Sequence, residues 1–205
     1  IVHNYINEKV FSYHKKDVEF RRKILSIRPY ASTTYANDLT VKAILELSTR
    51  SCFSQLEFCL VGDGVLFDEI TRPLKKFENI TLKRAFLTHS EIANYHKQYG
   101  IFLTPSRMDT QGVSRDEAMS SGLVPVTTKV GAISEFVDNG CGRVVAPEDY
   151  VGLADAIEEI YQDPQLFLDL SEAAAARVHQ QSGYSATVDK ELALFASNNF
   201  DRKHG

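Results

Sequence analysis

The chain lacks the residue patterns that mark several well-defined protein classes. Its three cysteines, Cys52, Cys59 and Cys141, do not have the spacing of metal ligands, and its six histidines show no such spacing either. We interpret the cysteines as buried apolar thiols in a reducing compartment. The sequence contains no P-loop, zinc pattern or Ser-His-Asp arrangement. It therefore predicts neither a metal site nor a nucleophilic triad.

An excess of positive charge and a long apolar run are also missing. The 23 Lys and Arg residues are outnumbered by 27 Asp and Glu residues, so the formal net charge is -4. Because no basic excess is available to neutralise phosphates, a nucleic-acid partner is not expected. No apolar run is long enough to cross a bilayer. The hydrophobic fraction of 43% and the charged fraction of 24% are typical of a soluble globular protein.

The N-terminal stretch has the character of a linker. The chain begins with Ile1, where a methionine normally stands, and we interpret it as a fragment or processed chain whose function is completed upstream. Residues 1–11 place Asn4 and Asn7 between apolar residues, and the charge run KKDVEFRRK that follows predicts a solvated segment. Residues 1–22 are therefore predicted to form a linker-like entry to the domain.

Short apolar stretches alternate with helical patterns along the rest of the chain. Predicted strands cover 23–27, 56–62, 79–84, 101–104, 124–128 and 142–146. Predicted helices cover 37–50, 67–77, 88–99, 134–137, 149–163, 164–180 and 188–200, with an irregularity at Pro73 and a capping box at Thr88 and Glu91. This alternation predicts one α/β domain over residues 1–205, with C-terminal helices in 164–205. Its expected fold is a Rossmann-like three-layer αβα domain with a parallel six-stranded sheet.

Small, polar or glycine-rich residues follow the predicted strands. They are Arg28, Gly62 to Gly64, Ala85 to Leu87, Pro105 to Gly112, and Thr128 to Ala132. Because ligands bind at the carboxyl ends of the strands in an open α/β sheet, we expect these residues to surround one site.

The pair Gly62 and Gly64, with Asp63 between them, has two interpretations. It could begin a dinucleotide fingerprint, but Phe67 stands where the third glycine belongs, and the motif follows the second strand rather than the first. A nicotinamide cofactor is therefore not favoured. A tight turn that needs positive φ and a ligand contact remain equally good explanations of these glycines.

A loop and helix start between two strands carry the residues best suited to an anion. Asp109 in the loop and Glu117 in the helix flank the backbone N–H groups of Gly112, Val113 and Ser114. Such amides, together with the helix dipole, favour a diphosphate.

Arg28 ends the first strand and can direct a permanent cation into the same crevice. The structural alternatives are a surface salt bridge for Arg28 and a helix-stabilising acid for Glu117.

The segment Pro105 to Ile157 resembles the C-terminal, donor-binding domain of the retaining GT-B glycosyltransferases of group 1, which is one half of the GT-B fold. The resemblance rests on two acids separated by seven residues, Asp109 and Glu117. The VGDG turn, the EAM-x-x-G-x-x-P-V run and the VAPED segment add to it, and the HNYINEKVF stretch resembles the family's interdomain linker.

The resemblance implies a role for each candidate residue. Glu117 would hydrogen-bond the ribose, and the amides of Gly112, Val113 and Ser114 would hold the diphosphate that Arg28 neutralises. Asp109 would stand beside the donor sugar, so Asp109 and Glu117 are the implied catalytic residues. The other implied donor-binding residues are Gly62, Asp63, Gly64, Gly131, and Phe86 and Leu87 in the segment that passes the base. Family members need no metal, since basic groups and helix amides stabilise the leaving diphosphate.

The sequence departs from the family pattern at several positions. Asp109, Thr110 and Gln111 stand where the family usually has Glu-Gly-Phe, and Ala132 replaces the second glycine of a common pair. The family's diphosphate-binding lysine should fall near Thr34 or Tyr35, which are not cations. These departures keep a second hypothesis open, namely a non-catalytic nucleotide-sugar-binding or assembly module.

The activity implied by the resemblance is glycosyl transfer from a UDP- or GDP-sugar, with retention, in polysaccharide biosynthesis. The acceptor would be a saccharide or a lipid-linked glycan held by an N-terminal domain that this chain lacks, so the chain alone is expected to be inactive. The implied location is cytoplasmic, with peripheral contact at the inner face of the membrane as an extension of that expectation.

Overall fold

The sheet has the predicted composition and orientation. The computed structural model describes residues 2–201, with side chains described as far as residue 196. Six parallel strands lie in the order β3-β2-β1-β4-β5-β6. They are β1 (Lys23–Ile27), β2 (Glu57–Gly62), β3 (Ile80–Arg84), β4 (Ile101–Leu103), β5 (Val124–Thr128) and β6 (Arg143–Val145). The order reverses between β1 and β4, which creates a topological switch point there.

Eight α-helices connect and follow the strands within the described residues. They are α1 (Asn37–Leu47), α2 (Phe67–Thr71), α3 (His89–His96), α4 (Val113–Ser120), α5 (Ile133–Phe136), α6 (Tyr150–Gln162), α7 (Pro164–Ser182) and α8 (Val188–Asp201). The predicted irregularity at Pro73 is confirmed, because α2 passes into a 3-10 turn at Arg72–Leu74. The capping box of α3 is also confirmed, with Thr88 and Glu91 bonding each other's backbone N–H groups.

Apolar residues cover both faces of the sheet. Along β1, Ile24 packs into the cluster under α1 and α6, while its neighbour Leu25 packs with Ala118 of α4 on the opposite face. This alternation follows from the two-residue period of a strand. The predicted three-layer αβα domain is thus confirmed. All three cysteines are buried and unpaired, as predicted.

The charge run before β1 differs from its prediction. Lys16 is only 4% exposed, its Nζ donates to the His96 carbonyl at 2.5 Å, and burial lowers its pKa to about 8. Arg21 donates its Nε–H to the Tyr161 carbonyl at 3.0 Å. The prediction of a solvated segment is therefore wrong for these two residues, because their long side chains reach backbone carbonyls of packed helices.

Residues 2–11, here called the entry segment, pack on the domain. Ile6 is 1% exposed and Phe11 2% exposed, and both belong to a cluster that includes Met119 of α4 and Val178 of α7. The Ile6 N–H also donates to the Ser182 carbonyl at 2.9 Å. A stretch with the pattern of a linker is thus a structural part of this domain. None of the helices in the described part of the chain is long and apolar enough to cross a bilayer.

Candidate functional site

A cavity of about 300 Å³ opens at the carboxyl ends of β1, β2 and β3, next to the switch point. Its lining consists of Ile27, Arg28, Pro29, Gly62, Asp63, Ala85, Phe86, Leu87, His89, Ile92 and Ser114. A larger cavity of about 650 Å³ lies at the opposite, amino edge of the same strands, between residues 19–23 and 54–58. We assign the site to the smaller cavity, because parallel α/β sheets bind ligands at their carboxyl edge and a helix N-terminus lies there.

Arg28 joins the two halves of the sheet across the switch point. It follows β1 directly, is 6% exposed, and its Nη1 donates to Ser114 Oγ of α4 at 3.1 Å. Its guanidinium lies 5.1 Å from the ring centre of Tyr35. Burial lowers the pKa of Arg28, and the nearby Asp109 carboxylate opposes that change. Because arginine keeps its proton in proteins, a desolvated cation faces this cavity.

The start of α4 supplies backbone donors beside Arg28. Gly112 caps the helix with φ of 80°, a left-handed conformation in which residues other than glycine are strained. The Gly112 carbonyl accepts the N–H groups of Arg115 and Asp116 at 2.9 and 3.0 Å. The N–H groups of Val113 and Ser114 belong to the first turn, where no preceding carbonyl of the helix can accept them. This helix end is suited to an anion.

The two glycines after β2 serve close packing. A Cβ added to Gly62 would lie 1.9 Å from the Arg28 carbonyl oxygen, and one on Gly64 would lie 2.2 Å from the Tyr30 carbonyl carbon. Gly64 also has φ of 146°. Both alternatives left open by the sequence apply to this turn, since Gly62 and Asp63 also line the cavity.

The outer wall of the cavity is apolar and aromatic. Phe86, directly after Ala85, is 90% exposed at its rim, while Leu87 is 8% exposed. Ile27 and Ile92 complete this wall. A flat, partly apolar ring can stack on such a surface while its charged end reaches Arg28.

Asp109, Glu117 and Gly131 lie outside the cavity lining. Asp109 is partly exposed, and a Cβ on Gly131 would lie 2.1 Å from its carbonyl oxygen, so these two loops touch. Glu117 is partly buried on α4, and its pKa is raised to about 7, first by burial and second by the adjacent Asp116 carboxylate. The structure thus gathers most of the predicted residues around one cavity and sets these three on its α4 side.

The position expected to carry a lysine is occupied by a different arrangement. The Thr34 carbonyl accepts the Arg107 N–H at 2.9 Å. The Arg107 guanidinium is engaged by Asp38 at 2.7 and 2.8 Å and by Glu148 at 2.6 and 2.8 Å. These carboxylates hold the cation beside the loop rather than leaving it for a ligand, and Arg107 lowers the pKa of Asp38.

Sequence reasoning missed several residues of the site. Tyr35 contacts the Arg28 guanidinium, and His89 and Ile92 line the cavity. It also missed that Arg115 and Asp116, on either side of predicted site residues, are each 1% exposed. The helical spacing of α4 could have indicated a buried position at Asp116, but a charged pair gives no apolar signal.

A doubly wound parallel sheet with a buried arginine and a helix N-terminus at its switch point defines a Rossmann-like domain of the nucleotide-binding class. The chain belongs to the Glycosyl transferases group 1 family, whose model matches residues 21–163, and it forms a glycosyltransferase domain of the GT-B type. The departures at Asp109 to Gln111 thus occur within a recognisable family member.

Two curated relatives illustrate the relationship. The chain is 33% identical over 152 residues to D-inositol 3-phosphate glycosyltransferase of Pseudarthrobacter chlorophenolicus, covering 74% of this chain and 33% of the relative. It is 25% identical over 216 residues to N-acetyl-alpha-D-glucosaminyl L-malate synthase of Bacillus anthracis, covering 100% of this chain and 55% of the relative. The chain therefore spans about a third to a half of the relatives it matches.

Solved structures show the same fold. TarM of S. aureus, crystallised with Fondaparinux, alpha-GlcNAc-glycerol and UDP, aligns with a TM-score of 0.80 and 18% identity over 95% of this chain and 38% of that one. HepE of Anabaena in complex with UDP and glucose aligns with a TM-score of 0.77 and 18% identity over 96% of this chain and 56% of that one.

Proposed function

We propose that this chain is the donor-binding half of a retaining glycosyltransferase that uses a nucleotide-diphosphate sugar. The observation that carries the proposal is the bond between Arg28 Nη1 and Ser114 Oγ, which sets a buried cation against the N-terminus of α4. Two phosphates placed there would meet both the guanidinium and the amides of Gly112, Val113 and Ser114. The structures of TarM and HepE with UDP support a nucleotide of this kind.

The rest of the site is assigned from its surroundings. The base would lie against the wall formed by Phe86 and Leu87, near Gly62 and Asp63. Glu117, on α4 behind the diphosphate amides, would accept hydrogen bonds from the ribose hydroxyls. Asp109 and Gly131, whose loops touch, would border the donor sugar. No metal would be required, because Arg28 and the helix amides stabilise the leaving diphosphate.

The acceptor belongs to the part of the enzyme that relatives have and this chain does not span. A saccharide or lipid-linked glycan would be held by a second, N-terminal domain, so the chain alone would bind donor without transferring sugar. The full enzyme would act in the cytoplasm or peripherally at the inner membrane face, without nucleic acid.

Calorimetric titration of the chain with UDP, GDP and ADP tests donor binding. We expect at least one diphosphate to bind in a 1:1 complex, while the matching nucleoside, which lacks the phosphates, binds far more weakly. The nucleoside is the control for stacking of the base alone. Absence of binding by all three diphosphates would rule out the proposal.

A second candidate is a non-catalytic nucleotide-sugar-binding or assembly module. The observation that favours it is the arrangement at Thr34, where Arg107 is engaged by Asp38 and Glu148 instead of a free lysine serving the phosphates. Asp109→Ala and Glu117→Ala, made in a protein that carries both GT-B halves, separate the two candidates. Lost turnover in folded variants supports the enzyme, and unchanged biological activity supports the module.

A further inference from the structure

A buried hydrogen-bond network lies beneath residues 109–112, here called the donor loop. Gln111 is 7% exposed, and its side-chain amide bonds the backbone of Asn4 in both directions. Oε1 accepts the Asn4 N–H at 2.8 Å, and Nε2 donates to the Asn4 carbonyl at 3.2 Å. One side chain of the loop thus pairs with the entry segment, 107 positions away in sequence.

The same loop residue is held from the helix side. Arg115, 1% exposed, donates Nε–H and Nη2–H to Asp116 Oδ1 at 3.0 and 2.6 Å, and its Nη2 also donates to the Gln111 carbonyl. Asp116 Oδ2 accepts from Gln111 Nε2 at 3.2 Å. Burial raises the pKa of Asp116, while the Arg115 guanidinium opposes that change. The backbone and the side chain of Gln111 are therefore both anchored to a buried ion pair.

A third segment joins at the end of α7. Ser182 Oγ lies 3.5 Å from Gln111 Nε2, and the Ser182 carbonyl accepts the Ile6 N–H at 2.9 Å. His3 Nδ1 lies 3.2 Å from the Gln181 carbonyl. The entry segment and the end of α7 therefore run side by side, and Gln111 sits on their junction.

The consequence concerns Gly112, the residue that follows Gln111 and caps α4 in a left-handed conformation. We propose that Gln111 is a positioning residue: its amide latches the donor loop to the entry segment and to the end of α7, so that the amides of residues 112–114 face the diphosphate. This inference rests on the proposed function. A loop that is competent in only part of the population binds its ligand more weakly by that fraction.

The test compares Gln111→Leu with a matched control, Ser120→Ala. Leucine keeps the volume and removes the amide, whereas Ser120→Ala removes a buried 2.7 Å bond from α4 to the Phe11 carbonyl of the same entry segment without touching the loop. We expect the amides of residues 110–114 to exchange faster with deuterium in Gln111→Leu only. We also expect the Kd for UDP, or for whichever diphosphate the wild type binds, to rise roughly tenfold in that variant alone.

A third variant gives a pH signature that general destabilisation lacks. Gln111→Glu places a second carboxylate against Asp116, and its protonation at low pH restores an O–H donor. The ratio of its Kd to that of the wild type should therefore fall as pH drops from about 8 to about 5.

The outcomes are separable. Loop amides in Gln111→Leu that exchange as in the wild type would overturn the latch, and so would an equal loss of affinity in Ser120→Ala. A wild-type chain that binds no diphosphate would overturn the proposed function instead, and the exchange rates would still decide whether Gln111 orders the loop.

Discussion

At the residue scale, Glu117 is the group whose environment departs most from its appearance in the sequence. Burial and the Asp116 carboxylate raise its pKa to about 7. An unfolded glutamate ionises near pH 4.3 or so, at about 4.3 in model peptides. Between those two values the folded chain holds more protons than the unfolded chain, so the free energy of unfolding falls as the pH rises through this window.

We expect Glu117→Gln to reduce that fall by roughly 1–2 kcal/mol, after allowance for the partial exposure of the carboxyl. Urea unfolding of wild type and variant at about pH 5 and about pH 8 measures the difference. The control is Glu69→Gln at an exposed position of α2, which should leave the pH dependence as it is. Parallel curves for wild type and Glu117→Gln would contradict the prediction.

Arg28 is the second residue whose contribution can be isolated. Replacing it with Gln removes the buried charge at the switch point, and a hydrogen bond to a charged group contributes about 1.5–3 kcal/mol. We expect the Kd for the bound diphosphate to rise about 10- to 100-fold. Calorimetry measures it, with Arg143→Gln on β6, which pairs only with the exposed Glu159 among carboxylates of the described residues, as the charge-matched control. Equal affinities for wild type and Arg28→Gln would remove Arg28 from the site.

At the element scale, α3 depends on its capping box. The Thr88 N–H donates to Glu91 Oε2 at 2.8 Å, and Thr88 Oγ1 accepts the Glu91 N–H at 3.4 Å. Thr88→Ala should cost about 1 kcal/mol of stability, because an N-terminal N–H of the helix loses its acceptor. Chemical denaturation measures this cost, and Thr88→Ser, which keeps the hydroxyl, should recover most of it. An alanine variant as stable as the wild type would mean that water replaces the cap.

The elements themselves were largely predictable from the sequence. The bounds of β1 and β5 agree residue for residue with the prediction, since short β-prone runs with clear stops leave little choice. α3 ends at His96 rather than near Tyr99, because Lys97 donates its N–H back to Ala93 and the chain then turns into β4. Helix ends depend on such local contacts more than on periodicity.

At the scale of the whole molecule, the entry segment is part of the core. Phe11 is 2% exposed, and its ring centre lies 5.6 Å from that of His96. Phe11→Ala should lower the free energy of unfolding by about 3–5 kcal/mol, the usual cost of deleting a buried phenylalanine. Denaturant unfolding tests this, with Phe86→Ala as the control, because the 90% exposed Phe86 should contribute less than about 0.5 kcal/mol. Similar losses in the two variants would contradict a structural role for the entry segment.

The candidate site was predictable to the extent that it follows from topology. Arg28, Gly62 and Phe86 each follow a parallel strand, so their convergence at one edge of the sheet is a consequence of strand direction. The arrangement of Arg107 with Asp38 and Glu148 was not predictable, because it joins a loop, a helix and a turn that are far apart in sequence.

The sequence by itself determined the order of strands and helices, the parallel three-layer fold and the acid pair at Asp109 and Glu117. These features depend on local propensity, on the period of apolar residues and on motif spacing, which are all present in the linear chain. The tertiary structure alone decided that Lys16, Arg115 and Asp116 are buried and that Gln111 joins the entry segment to α7. Burial of a polar group depends on which distant partner satisfies it, and that partner is fixed only when the chain has folded.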